Sequence, residues 1–321
     1  MNQTPGLQNQ TSLASQICTD PVCLFYAVAN TIIFILGCAG NGLVIWIAGF
    51  KMKKSVITTW YLSLAASDFI FCCTLPFGVA QKVQNGWIFG VFMCKFRYFI
   101  KFLNMYSSIF VLLIISVDRC VLVLFPVWAQ NKRTIRKASV IVVLVWIISA
   151  VISMPSLIFR GLKFDQTMRC KNMKNESRIA TVSCRFVLGF VIPLHAIVIS
   201  YVVIMKRLKS KQMTKSKKPF KVMTVLIATF LICWLPFHTF SFLAISYESI
   251  NWIKNGKVVG ITVANANSCL NPFLYAFMGK DFTKHCNTVL TKIENAIAED
   301  TPNREEESPP GTSGDSKLLT I

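Results

Sequence analysis

Residues 94–126 read CKFRYFIKFLNMYSSIFVLLIISVDRCVLVLFP, and the fold turns on how they are read. From Phe96 to Pro126 they predict one helix of 31 residues, about 46 Å long at roughly 1.5 Å per residue. That exceeds a hydrocarbon core of about 30 Å, so the helix crosses a membrane with tilt or overhang. Its charges gather at the ends: Arg97 and Lys101 near one mouth, Asp118 and Arg119 near the other. A charge at a bilayer centre costs roughly 2.5–3.5 kcal/mol and persists only where it faces protein or water. The helix therefore reads as a central post with a working site at each membrane face.

Outward from this post, the 321-residue chain is 54% hydrophobic with a mean hydropathy of +0.53, more apolar than soluble domains of this size. Apolar windows recur at 25–50, 57–82, 94–126, 138–159, 180–206, 218–246 and 256–278. They predict an all-α bundle of seven transmembrane helices over residues 24–278. The seventh window is the weakest, because Asn265, Asn267, Ser268 and Asn271 interrupt it. Residues 1–23 form a polar tail with no signal-peptide pattern. Residues 279–298 carry a stripe of Phe282, Val289, Leu290, Ile293 and Ile297 beside lysines, as in an amphipathic helix lying on membrane lipids. Cys286 within it is a candidate for palmitoylation. Residues 299–321 are polar and rich in Pro, Ser and Glu, hence expected to be disordered. Thr301, Ser308, Thr312, Ser313 and Ser316 make this a candidate kinase-regulated tail, which arrestin would read once it is phosphorylated.

Lysine and arginine set the expected orientation. Lys51, Lys53 and Lys54 fill one short loop, Lys132, Arg133, Arg136 and Lys137 a second, and eight cations between Lys206 and Lys221 a third. The positive-inside rule places these three loops in the cytoplasm. With seven spans the N-terminus is then extracellular, where Asn2 and Asn9 begin glycosylation sequons, and the C-terminus is cytoplasmic. The net charge of +20 exceeds what that rule needs. Arg97, Lys101, Arg160, Lys163, Arg169, Lys171, Arg178 and Arg185 lie towards the outer face with few acids among them. They read either as a solvated surface or as a funnel for an anionic ligand. Nucleic acid is not an expected partner.

Several constellations carry chemistry. Cys94 opens the third span and Cys170 lies between spans four and five, so a disulfide would pin that loop over the helix mouth. Cys18 and Cys23 form a second pair whose connectivity stays open. Lys101 lies two helical turns below Cys94, and Arg185 lies eight residues before Pro193. Facing inward, they would make a cationic floor for a carboxylate or phosphate; otherwise they snorkel to headgroups. Trp234, Phe237 and His238 would add an aromatic wall, and Arg169 a further cation for the ligand. Asp68 is a mid-membrane carboxylate that Asn104, Ser108, Asn267, Ser268 and Asn271 could surround. This oxygen-rich set suits a hard cation such as sodium, or else a polar network joining helices. Asp118 and Arg119 form an adjacent pair, costly at a membrane edge unless it locks or switches something. No enzyme signature is present: there is no Gly-rich phosphate loop, and His195, His238 and His285 lack metal-ligand spacing.

Taken together, Asn41, Asp68, Arg119, Trp146, Pro193, Trp234 with Pro236, and Asn271-Pro272 with Tyr275 resemble the landmarks of the rhodopsin-like (class A) G-protein-coupled receptors. The resemblance implies that Arg119, Tyr201 and Tyr275 rearrange on activation, and that span six swings outward to admit a G protein. The stretches NGLVIWIAGFKM (41–52), FPVWAQNKRT (125–134), NSCLNPFLYAFMGKDF (267–282) and AEDT (298–301) resemble formyl-peptide and chemerin receptors. VITTWYLSLAASD (56–68) and FLNMYSS (102–108) resemble the chemoattractant-type prostaglandin D2 receptor. The usual Tyr after Asp-Arg is Cys120 here, a departure that chemoattractant receptors share. Arg185 matches a cation such receptors use for ligand carboxylates. Phe102 stands where formyl-peptide receptors carry an acid, and Thr181 where they carry a second arginine.

The resemblance implies a plasma-membrane receptor for a chemoattractant-type ligand, an anionic lipid mediator or a short peptide. It would signal through an inhibitory (Gi-type) G protein to direct leukocyte migration, with no cofactor beyond allosteric sodium. A non-signalling scavenger of the same fold, or a small-molecule transporter, are the alternatives. Intact Asp118, Arg119 and Tyr275 stand against the first, and the lack of an inverted repeat stands against the second.

Overall fold

In a computed structural model, the structure describes residues 18, 20–165, 167–172, 176–210, 218–247 and 249–278, with positions 288 and 291. The chain folds as a bundle of seven helical spans. The first is α1 (Pro21–Trp46), continued by a π-helical turn at Ile47–Lys51. Asp20 caps it by accepting from the Val22 N–H at 3.4 Å, and Pro21 occupies the first turn, where no N–H is needed. The second span is α2 (Val56–Cys72) followed by α3 (Leu75–Val83). Ser55 and Thr58 close a reciprocal capping box at its start. The break at Cys73–Thr74 precedes Pro76, whose ring and missing N–H disrupt a continuous helix there.

The third span, α4 (Gly90–Leu124), has 35 residues, about 52 Å. It begins six residues before the expected start at Phe96. It stops at Leu124 because Pro126 bars its predecessor from helical geometry. Pro126 then opens a short helix, α5 (Pro126–Lys132). Span four is α6 (Ile135–Ser153) with α7 (Pro155–Ile158). A hairpin follows, with β1 (Arg160–Asp165) antiparallel to β2 (Thr167–Asn172) and Leu162 opposite Cys170. Span five is α8 (Glu176–Phe186), a π-helical turn at Val187–Val191, and α9 (Ile192–Ser210). Pro193, lacking an N–H, sits just after that turn. Spans six and seven are α10 (Lys218–Ser246) and α11 (Asn251–Met278), with Pro236 and Pro272 inside them.

Six of the spans are long and apolar enough to cross a membrane, while α11 falls below that mark. The packing explains why. Asn265, Asn267, Ser268 and Asn271 are all buried, so the residues that lower its hydropathy face protein, not lipid. The outer faces are the reverse: Val143, Leu144, Ile147, Ile148 and Val151 of α6 are exposed, as a lipid-facing surface requires. A Cβ on Gly40 would come within 3.0 Å of the Pro272 ring, so glycine permits the approach of α1 to α11. Asn2, Asn9, Cys286, the 279–298 helix apart from positions 288 and 291, and the tail sites lie outside the described residues.

Candidate functional site

The hairpin roofs one end of the bundle. A disulfide joins Cys94 to Cys170 with Cα atoms 5.8 Å apart, and a second joins Cys18 to Cys23. The hairpin is also tied to the loop before α4. The Trp87 N–H donates to Met168 O at 2.7 Å, and the Thr167 hydroxyl to Asn85 O at 2.7 Å. Arg169 is used here too: its Nη2 donates to Asn85 Oδ1 at 3.0 Å. Arg169 therefore braces the roof and does not line the cavity beneath, contrary to the expectation of a ligand contact.

That cavity has a volume of about 520 Å³ and is bounded by spans three to seven and the hairpin. Lys101 and Arg185 both line it, together with Phe102 and Phe237. The Arg185 guanidinium carbon lies 3.8 Å from the Phe102 ring centre and 5.9 Å from that of Phe237. Lys101 Nζ is also 5.9 Å from the Phe237 centre. Both cations therefore share one ring, and Tyr106 lies beside Arg185. The anticipated floor forms: neither cation snorkels outward. Arg160, Lys163, Lys171, Arg178 and Lys257 add to it, and no aspartate or glutamate is among the described lining residues. Phe102 and Thr181, the two departures noted above, both line this cavity. Arg160 lies over Tyr98, 3.3 Å from its ring centre. Burial pushes the Arg160 guanidinium below its usual pKa, and the Tyr98 hydroxyl opposes that shift.

The aromatic wall is only partly as expected. Phe237 faces the cavity, while Trp234 sits one turn deeper and lines a narrow extension with Asn104 and Asn265. His238 is turned towards span five, enclosed by Phe186, Phe190, Trp234 and Phe237, and only 1% exposed. Successive helical residues point about 100° apart, so Phe237 and His238 cannot share one face. Sequence reasoning missed Tyr98 and Lys257. The signal for Tyr98 was its spacing, three residues before Lys101 on the same face.

Below the extension lies Asp68, fully buried. Its Oδ1 accepts from Asn104 Nδ2 at 2.7 Å and from the Ser108 hydroxyl at 3.3 Å; its Oδ2 accepts from Asn271 Nδ2 at 2.6 Å. The Ser268 hydroxyl donates to Asn104 Oδ1 at 3.2 Å. The expected cluster forms through these four residues. Asn267 is buried one helical step away, and the bonds around Asp68 run through Ser268 and Asn271 instead.

At the opposite end, Asp118 and Arg119 do not lock to each other. Asp118 receives a two-pronged bond from Arg133, Nε to Oδ1 at 2.7 Å and Nη2 to Oδ2 at 2.8 Å. Arg119 lies beside the Tyr61 hydroxyl on α2. Arg133 and Tyr61 were both missed. Tyr201 packs at the edge of the nearby cluster containing Trp60, Leu64 and Ile115. The side chain of Tyr275 lies outside the described set, while Pro272 abuts span one at Gly40.

Compared with known proteins, residues 40–275 match the model of the seven-transmembrane receptors of the rhodopsin family. The chain is 40% identical over 304 residues to chemerin-like receptor 1 of Sus scrofa, covering 87% of this chain and 83% of that one. It is 39% identical over 308 residues to the C3a anaphylatoxin chemotactic receptor of Oncorhynchus mykiss, covering 91% and 84%. It is 34% identical over 314 residues to formyl peptide receptor 2 of Mus musculus, covering 89% of each.

Proposed function

The chain belongs to the rhodopsin family of seven-transmembrane receptors, and on that footing we propose that it answers a short chemoattractant peptide held by its C-terminal carboxylate. Its similarity runs to chemoattractant receptors, so it is a multi-pass membrane receptor and not an enzyme; an extracellular ligand and a G protein are its partners. One relative is named for formyl peptides and another for the C3a anaphylatoxin. A peptide is therefore preferred to an anionic lipid.

The observation that carries this reading is the cationic cavity, where Lys101 and Arg185 flank Phe237 and no acid stands among the described lining residues. A carboxylate entering there meets a bidentate partner in Arg185 and a point charge in Lys101. The Phe102 ring lies 3.8 Å from the Arg185 guanidinium carbon and supplies no full counter-charge.

Activation then needs only a differential. The ligand must bind the open state a few kcal/mol better than the resting one. Ligand pressure on Phe237 passes to Trp234, one turn below it, and Pro236 between them is the hinge at which span six bends. Arg119 leaves Tyr61, and a Gi-type protein docks on the loops carrying Lys132, Arg136 and Lys137, with the N-terminus outside and the C-terminus in the cytoplasm. The phosphorylated 299–321 tail would recruit arrestin, and leukocyte migration is the proposed response. Asp68, Asn104, Ser108 and Ser268 offer oxygen atoms around one carboxylate, the chemistry a sodium ion takes. These residues would hold it, and it would favour the resting state.

Ligand-dependent inhibition of cAMP in transfected cells tests the proposal. Arg185→Gln should lower a carboxylate agonist's potency about a hundredfold, as expected for losing a buried charge partner. Equal potency on both receptors would sink the carboxylate site.

A further inference from the structure

We propose that the peptide carries a second negative charge, an aspartate or glutamate one or two residues before its terminal carboxylate, and that Arg160 binds it. The inference rests on the cavity being a peptide-carboxylate site, and it adds a second recognition point that selects acidic sequences.

Three of the cavity's cations form two poles set by their rings. Lys101 and Arg185 gather around Phe237. Arg160 stacks on Tyr98, 3.3 Å from its ring centre. Arg97 approaches the same ring, its guanidinium carbon 5.4 Å from the centre. Arg97 Nη1 donates to Gln81 Oε1 at 3.3 Å and Nη2 to the Tyr26 hydroxyl at 3.4 Å. The space for that guanidinium exists because residue 78 is glycine; a Cβ there would overlap it. Two guanidiniums thus approach Tyr98, and their described partners are neutral oxygens and a ring. Neither is matched by a carboxylate among these partners, and the Arg160 side opens on the cavity.

Charge balance argues for an anion there. A ring face orients a guanidinium, but it does not neutralise it. One terminal carboxylate answers the Lys101 and Arg185 pole and leaves Arg160 uncompensated within the same enclosed space. The spacing then sets the ligand. Tyr98 lies three residues before Lys101 on α4, about 4.5 Å along the axis. An extended peptide advances about 3.3 Å per residue, so an acid one or two residues before the end reaches the upper pole. A phosphomonoester concentrates its charges in one group and fits two separate poles less well.

The test uses the full-length receptor purified in detergent, with thermal stabilisation as readout. The probes are two pools of hexapeptides, alike at every apolar position but carrying either aspartate or asparagine two residues before the end. Each pool is made as free acid and as amide. The aspartate acid pool should bind wild type about tenfold tighter than its asparagine counterpart. Arg160→Gln should erase that preference, weakening the aspartate pool about tenfold more than the asparagine pool, with an unliganded melt close to wild type reporting that the variant is folded; Arg160→Lys should keep the preference. Equal binding of both pools to wild type overturns the proposal, as does an Arg160→Gln loss that falls on both alike. So does an absence of binding by either pool. Oleoyl lysophosphatidate stabilising the receptor where peptides do not would reject the peptide and put both charges on one lipid phosphate. Amides binding as tightly as acids, with the aspartate preference intact, would instead reject the carboxylate floor and keep Arg160.

Discussion

Asp118 and Arg119 are neighbours in the chain, yet the helix points them about 100° apart, and each finds its partner elsewhere. Their importance was legible from the cost of charge at a membrane edge. Their partners were not, because Arg133 lies 15 residues on, across α5. Lys101 and Arg185 were more legible, since each has a fixed helical offset from a cysteine or proline landmark. Asp68 permits a sharp test at this scale. Its two oxygens accept from Asn104 and Asn271. Asp68→Asn replaces one acceptor by a donor and sets two N–H groups against each other. A buried mismatch of that kind costs about 1–3 kcal/mol. The purified variant should melt lower than wild type. It should also lose the stabilisation by sodium chloride over choline chloride that wild type is expected to show. A wild type indifferent to sodium would leave Asp68 as a helix-joining network alone.

Among the elements, α11 departs most from its sequence pattern. Among the described residues its hydropathy stays below the mark that the other six spans pass, which is why the sequence pattern is weakest here; burial of Asn265, Asn267, Ser268 and Asn271 explains the polar residues that lower it. A linear profile averages round a helix and cannot tell an inward asparagine from an outward one. The Gly40–Pro272 contact shows how closely this helix is held. Gly40→Leu should force α1 from α11 and destabilise by about 1–3 kcal/mol, the usual penalty of overpacking. A fall in melting temperature and in surface expression would register it, while an unchanged melt would mean the interface yields easily. The hairpin was the least legible element. Its strands are short, and only the disulfide to Cys94 was readable in advance.

For the whole molecule, charge is the organising quantity. A net +20 shared between both faces puts a positive potential over the cavity mouth. Opposite charges steered by such a field associate faster, and salt screens the effect over about 10 Å at 0.1 M. Association of an acidic peptide with the purified receptor should therefore slow about tenfold between roughly 0.05 and 0.5 M salt, with dissociation changing little. Rates indifferent to salt would confine the cations to contact roles.

The sequence by itself determined the seven-span architecture and the residues that could carry chemistry, because a bilayer imposes length and hydropathy rules that need no partner. It also singled out Lys101, Arg185 and Asp68, since a charge within a span must face protein or water or else snorkel to the headgroups. Only the tertiary structure decided which of these groups meet. It turned His238 away from the cavity, gave Arg169 to the roof, brought Arg160 onto Tyr98 and handed Asp118 to Arg133. Such pairings depend on crossing geometry between elements far apart in the chain. The opening stretch fixes one helix, and only its six neighbours settle what each of its charges does.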